Sequence, residues 1–217
     1  MVELVIGNKN YSSWSLRPWL FLSVHGLAFK EVRISLNQDD TRATIAQHTD
    51  AGKVPLLKDG DLTVWDSLAI CEYISEQYLD GGGWPSSVRA RAEARSCSAE
   101  MHSGFPAIRG QLPMNCRAIG RKVPLNATLE RELARIDQIW SQYRGTYSSV
   151  GPWLFGEFSI ADCMFAPVAS RFKTYGIKVS TVSAEYMHFI LDQEQMGEWV
   201  RQAHAEPETI DVDEVGI

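Results

Sequence analysis

The sequence predicts a small α/β domain of order β-α-β-α-β-β-α followed by an all-helical bundle. Three observations carry that fold class. Apolar residues alternating with period two occur only in the first third of the chain, interleaved with helical stretches. Everything beyond residue 88 has the composition and spacing of amphipathic or buried helices. Between the two lies Leu79–Ser87 (LDGGGWPSS), whose three glycines and Trp-Pro pair read as a linker. The implied division is residues 1–79, a linker at 80–87, and a helical domain over 88–217.

The elements follow in order. Val2, Leu4 and Ile6 alternate as a strand does, and Leu16, Trp19, Leu20, Leu22 and Val24 then recur at helical spacing up to Gly26. Glu31–Leu36 (EVRISL) alternates again, and Thr41–His48 reads as a short helix opened by Asp39 or Asp40. In VPLLKDGDLTVWD two apolar runs flank Lys58-Asp59-Gly60-Asp61, a hairpin turn with the favoured Asp-Gly pair. SLAICEYISEQYL completes the half as a helix capped by Asp66 or Ser67. Parallel crossovers plus a terminal hairpin make one sheet, with the helices covering it. Beyond the linker, VRARAEARSCSAEM is helix-forming, and Leu129, Leu133, Ile136, Ile139 and Trp140 share one face of Ala127–Tyr143. Ile160–Ala169 is apolar nearly all round, as for a helix buried in a bundle, and Ala184–Ala203 is a final amphipathic stretch.

With 217 residues, 45% of them hydrophobic, a sizeable core is available. A formal charge of −6 opposes general nucleic-acid binding, and part of it sits in EPETIDVDEVGI, which reads as a surface tail and not as a binding patch. No signal-like start or run of about 20 apolar residues is present. The four cysteines are scattered without a C-x-x-C pair and the five histidines are isolated. A cytoplasmic protein with reduced thiols, no metal and no membrane partner is therefore expected.

Three local motifs bear on chemistry. Gly52-Lys53-Val54-Pro55-Leu56-Leu57 places a proline at the mouth of a strand. Trp65-Asp66-Ser67-Leu68-Ala69-Ile70 puts an acid and a hydroxyl at a helix N-terminus, either as a cap or as part of an anion site. Phe158-Ser159-Ile160-Ala161-Asp162 is a capping box, a structural device. In the opening stretch Asn10–Leu20 (NYSSWSLRPWL), three serines in four residues stand between a strand and a helix. They could cap the helix or hold a reactive anion.

Taken together, these motifs and the element order resemble the cytosolic glutathione S-transferase family over nearly the whole chain. Trp84-Pro85 followed by Arg89-Ala90-Arg91 resembles the usual opening of its second domain. The resemblance implies an N-terminal thioredoxin-like domain and a cis peptide bond before Pro55. It places glutathione against Lys53, Val54, Pro55, Asp66 and Ser67, with the Val54 main chain pairing the cysteinyl unit and Asp66 and Ser67 holding the γ-glutamyl end. Ser12-Ser13-Trp14-Ser15-Leu16-Arg17 resembles the Ser-Ser-Cys-Ser-x-Arg signature of the zeta class. That likeness implies Ser12 first and Ser13 second as the hydroxyls that activate the glutathione thiol, with Tyr11 a third, rival hydroxyl.

Trp14 stands where the zeta pattern has cysteine, which weakens the isomerase activity of that class and excludes mixed-disulfide chemistry. The expected reaction joins glutathione, the only cofactor-like molecule implied, to a small apolar electrophile. The electrophile would lie in a pocket walled by Tyr11, Trp14, Met101, Phe105 and Arg109. The last three recur at i, i+4, i+8, with Pro106 kinking their helix. The alternatives are a glutathione-dependent isomerase or dehalogenase, and a non-enzymatic ligand carrier on the same fold. A homodimer is implied by the resemblance.

Overall fold

A computed structural model describes residues 1–216. The first half runs β1 (Val2–Ile6), α1 (Ser13–Val24), β2 (Phe29–Arg33), α2 (Thr41–Ala46), β3 (Leu56–Asp59), β4 (Leu62–Trp65) and α3 (Ser67–Tyr78). The sheet order is β2-β1-β3-β4; β2 runs parallel to β1, and β3 antiparallel to both β1 and β4. Period-two alternation sorts β1 between two cores. Val2, Leu4 and Ile6 join the large core with residues of α1 and α3, whereas Val5 turns to the other face with Ile34, Ile45 and Leu56. The predicted hairpin forms with Leu56 opposite Trp65 and Asp59 opposite Leu62, and Gly60 supplies the positive φ (57°) that the turn requires. This is a thioredoxin-like domain.

The second half comprises α4 (Val88–Ser103), α5 (Pro106–Gln111), α6 (Ala127–Tyr147), α7 (Ile160–Tyr175), α8 (Thr181–Leu191) and α9 (Glu194–Ala205), then a single 3-10 turn at Asp211–Asp213. Helix α7 is buried on nearly every side, as its all-round apolar sequence demands, and it packs against α1, α3, α4 and α8. Its capping box is present. The Asp162 carboxylate accepts from the Ser159 N–H (2.9 Å) and hydroxyl (3.1 Å), the Leu154 N–H (3.0 Å) and the Tyr186 hydroxyl (2.8 Å). One side chain thus ties three segments to the central helix.

Several expectations are corrected. The second strand lies two residues earlier than EVRISL, at Phe29–Arg33. Asp40 opens α2 at the N-cap position, but its side chain makes no cap bond, and Thr41 Oγ1 accepts the Gln38 N–H. The last amphipathic stretch is two helices. Tyr186, Met187 and Ile190 of α8 and Met196, Trp199 and Ala203 of α9 are buried, and the six-residue step from 190 to 196 breaks the 3.6 register. Pro106 does not kink one helix but opens α5, because the residue before a proline avoids the α region. Phe105, between the two helices, adopts a left-handed conformation with φ 62°.

The Asp162→Ala variant should lose about 3–5 kcal/mol of stability, since several buried donors are orphaned at once. A denaturant midpoint within 1 kcal/mol of the parent, converted at constant m, would show that those donors find other partners.

Candidate active site

The loop between β1 and α1, residues 7–12, is positioned from the far end of the chain. The Glu206 carboxylate accepts the Lys9 N–H (2.7 Å) and the Asn10 N–H (3.0 Å), and the indole of Trp199 donates to the Lys9 carbonyl (2.9 Å). Asn10 is clamped on both sides: its amide donates to Asn115 Oδ1 (3.0 Å), its Oδ1 accepts the Arg117 N–H (2.9 Å), and its carbonyl accepts the Cys116 N–H (3.2 Å). The Lys9 ammonium is buried against the faces of Trp19 and Trp199 and paired with Glu31 at 2.6 Å. The tail read as a plain surface segment is therefore a strap. Besides Glu206, Glu208 pairs with Arg33 and Ser35, and Glu214 accepts from Tyr11, Asn115 and Arg121.

The held loop delivers three serines to the mouth of α1. Ser15 Oγ accepts the Gly7 N–H (3.1 Å) and lies 2.7 Å from Ser12 Oγ. Ser12 stands at the N-cap position, but its side chain makes no cap bond. Simple capping is thus not its role. Ser13 Oγ accepts from the Arg171 guanidinium of α7 at 3.1 Å. A hydroxyl that accepts from a guanidinium keeps its own proton to donate elsewhere. Ser12 and Ser13 both line a cavity of about 280 Å³ with Tyr11, Trp14, Arg109 and Arg171. Tyr11 is not a spare donor there, because its hydroxyl donates to Glu214 (2.7 Å) and accepts from Arg117 (2.9 Å).

A larger cleft of about 720 Å³ adjoins it, sharing Trp14, Leu36 and Val54 and bringing in Lys53, Pro55, Asp66, Ser67 and His102. The Val54-Pro55 peptide bond is cis. Val54 precedes β3, outside the sheet ladder, and among the described residues its N–H and C=O enter no hydrogen bond. Asp66 adopts φ 78° and caps α3, accepting the Leu68 N–H (2.9 Å) and Ala69 N–H (3.3 Å). Ser67 repeats the pattern of Ser13: its hydroxyl accepts from the buried Arg17 (3.2 Å), leaving its proton to donate outward.

Two guanidinium groups lie over the Trp14 ring, Arg17 at 4.3 Å and Arg109 at 4.6 Å from its centroid, with His102 edge-on. Burial and the mutual repulsion of the cations pull Arg17 down to about 9 and Arg171 down to about 10, so both stay charged at neutral pH. His102 Nε2 is 3.0 Å from Asp66, yet its pKa is lowered, chiefly by burial and then by Arg17 and Arg109, against the opposing pull of Asp66. Its buried Nδ1 has no partner among the described residues, which suits a neutral ring. Met101 and Phe105, expected as pocket walls, belong to the core and line neither cavity. Arg109 does line the smaller cavity, and its guanidinium also donates to the carbonyls of Met101 and Gly104 at the end of α4.

Sequence reasoning missed Glu206, Asn115, Arg117, Arg171 and His102, each far in sequence from the loop or helix it serves. The one available signal was charge: Arg171 is a cation in a helix whose sequence is mostly apolar.

Comparison with known proteins gives the family. The family model described as the glutathione S-transferase N-terminal domain matches residues 11–77, and that of the C-terminal domain matches residues 124–193. The chain belongs to the glutathione S-transferase family. Its fold is similar to that of a glutathione transferase homologue from Burkholderia gl BGR1 with bound glutathione, at 20% identity and a TM-score of 0.71, over 94% of this chain and 98% of that one. It is also similar to the theta class enzyme of the citrus canker pathogen Xanthomonas axonopodis pv. citri with glutathione bound (20% identity, TM-score 0.65, covering 92% and 96%). In sequence, 58 residues, 26% of this chain, are 34% identical to dichloromethane dehalogenase of Methylorubrum extorquens, and they span 20% of that protein's length.

Two outcomes test this geometry. His102 should titrate below 6.5 by NMR; a midpoint above it would mean that Asp66 outweighs burial and the arginines. Because the folded-state value is depressed, the unfolded chain binds the proton more tightly, so His102 makes the protein less stable as pH falls through 6.5 and below. Glu206→Ala should cost about 2–4 kcal/mol, because it strips two buried N–H groups of a charged acceptor. It should also weaken glutathione binding measured by calorimetry. Unchanged binding in a folded variant would show that the strap does not hold the site.

Proposed function

We propose that the protein is a glutathione transferase that ionises the glutathione thiol at Ser12 and Ser13 and adds the sulfur to a small electrophile. One observation carries the reading: Ser12 and Ser13 both line the cavity that adjoins the Val54, Asp66 and Ser67 cleft. In this reading the unpaired Val54 main chain takes the cysteinyl unit as an added strand would. The Ser67 hydroxyl donates to the γ-glutamyl carboxylate, and Asp66 receives its ammonium.

An ordinary thiol has a pKa near 8.5, and lowering it by about two units requires roughly 2.7 kcal/mol of thiolate stabilisation. Hydrogen bonds to the charged form and nearby cations are the means available. Ser12 sits at the end of a chain that starts at the Gly7 N–H and passes through Ser15. In this reading the Ser15 hydroxyl, which accepts the Gly7 N–H, donates to Ser12 Oγ, and the Ser12 proton is left for the sulfur. Ser13, polarised by Arg171, supplies a second donor. Arg17, Arg109 and Arg171 add a positive field around the sulfur. The thiolate then forms the C–S bond as the leaving group departs with its electron pair, and the thiol proton passes to solvent. A homodimer and a cytoplasmic setting belong to the same proposal.

The segment similar to dichloromethane dehalogenase favours a second reading, displacement of halide from a small haloalkane by the same thiolate. Halide release from dichloromethane in the presence of glutathione separates the two.

Ser12→Ala should raise the pKa of the bound thiol by about one to two units and lower kcat roughly 10- to 100-fold. Thiolate absorbance against pH and turnover of a chloronitroarene measure both. If Ser12→Ala and Ser13→Ala leave the thiol pKa and kcat at parental values, the activation scheme is wrong.

A further inference from the structure

We propose that His102 is a positioning residue for the γ-glutamyl end of glutathione: neutral, it holds Asp66 ready for the ligand's ammonium, and protonated, it excludes that ammonium. The proposal rests on the glutathione-transferase reading and adds to it a control of glutathione binding by pH.

His102 stands in the last turn of α4, in the helical domain, and lines the cleft together with Lys53, Val54, Asp66 and Ser67. Its Nε2 lies 3.0 Å from Asp66 Oδ2. The other carboxylate oxygen, Oδ1, belongs to the cap of α3, where it accepts the Leu68 and Ala69 N–H groups. Oδ2 is therefore the oxygen left for a ligand, and it is the one that His102 approaches. An ionised carboxylate only accepts, so a neutral ring that serves Asp66 carries its proton on Nε2. That contact steadies the carboxylate and still leaves Oδ2 a lone pair, on a side chain that is 41% exposed.

A second proton has one place to go, Nδ1, which is buried and has no partner among the described residues. Protonation there creates a buried N–H without an acceptor. Burial opposes the charged ring most; Asp66 favours it, and Arg17 of α1 and Arg109 of α5 oppose it again. The last turn of α4 also favours a cation, and the edge-on Trp14 ring brings no charge. Glutathione adds a further cation to this balance. An ammonium on Oδ2 would sit beside Nε2, and two cations that share one carboxylate oxygen repel each other. Ligand and proton therefore compete. A fall in pH weakens glutathione binding, and bound glutathione lowers the His102 midpoint by the same factor.

The probe is S-methylglutathione, whose blocked sulfur removes thiol ionisation from the titration. It is set against the same tripeptide with the γ-glutamyl amino group replaced by hydrogen. NMR of the isotope-labelled full chain follows the His102 ring against pH. Saturation with S-methylglutathione should lower the His102 midpoint by about half a pH unit or more, a linkage of about threefold in affinity. The deamino analogue should leave the midpoint in place. His102→Lys, a fixed cation, should bind S-methylglutathione about fivefold more weakly at neutral pH than His102→Gln, which keeps a donor for Asp66, and the two variants should bind the deamino analogue alike. The wild-type titration decides the matter if either variant fails to fold. A midpoint that S-methylglutathione leaves unmoved or raises overturns the inference, as does an equal shift with the deamino analogue or a free-protein ring that stays neutral until the chain unfolds in acid. Each of these leaves the transferase reading standing. No binding of S-methylglutathione or of glutathione overturns both.

Discussion

Much of this molecule turns on how a six-residue loop, Gly7–Ser12, is kept still. Such a loop lacks the ladder that orders a strand, and each of its main-chain polar groups must find a partner or face water. Here four of those groups find partners more than one hundred positions away, Glu206 for the Lys9 and Asn10 N–H groups, Trp199 for the Lys9 carbonyl and Cys116 for the Asn10 carbonyl, while the Gly7, Tyr11 and Ser12 N–H groups are held locally by Ser15 and Asn8. The sheet domain thus holds serines whose direction is set by the helical domain and its strap. Folding of the second half therefore sets the conformation of this loop in the first. The dependence runs the other way as well, because α1 is a principal partner of the central helix α7.

A second constraint is electrostatic. Arg17 and Arg171 are buried, and each spends one donor on a serine of the site, Ser67 and Ser13 respectively. The repetition has a chemical consequence. An isolated serine hydroxyl can rotate and either donate or accept; one that receives a guanidinium N–H is biased to donate toward the open cleft. Two such serines, one at each helix N-terminus, are what the proposed thiolate and γ-glutamyl contacts would draw on as donors. The cost is desolvation of the cations, visible in their lowered pKa values.

What the sequence reveals follows from the range of the interactions involved. The Asp-Gly hairpin, the capping box at Ser159 and Asp162, and the Asp66 cap are encoded within a few residues, and the structure contains all three. The position of the cis bond before Pro55 was legible as well, through the family resemblance. Periodicity misled where it was extended across a break. Met101, Phe105 and Arg109 keep helical spacing on paper, yet Gly104 and the left-handed Phe105 separate two helices and send Met101 into the core. The acidic C-terminal segment looked like a solvated tail because its partners, Lys9, Tyr11, Arg33 and Arg117, are remote in sequence. Arg171 was hidden for the same reason: composition marks a buried cation as unusual but cannot say which hydroxyl it faces.

The indole at position 14 joins these threads. Where the zeta pattern carries a thiol, this chain carries a flat aromatic surface with two guanidinium groups within 5 Å of its ring centroid. Cations attract the quadrupole of a ring while repelling each other, so the indole partly offsets the repulsion between Arg17 and Arg109. Trp14 is therefore better understood as an element that favours a cluster of cations beside the serines than as a pocket wall alone.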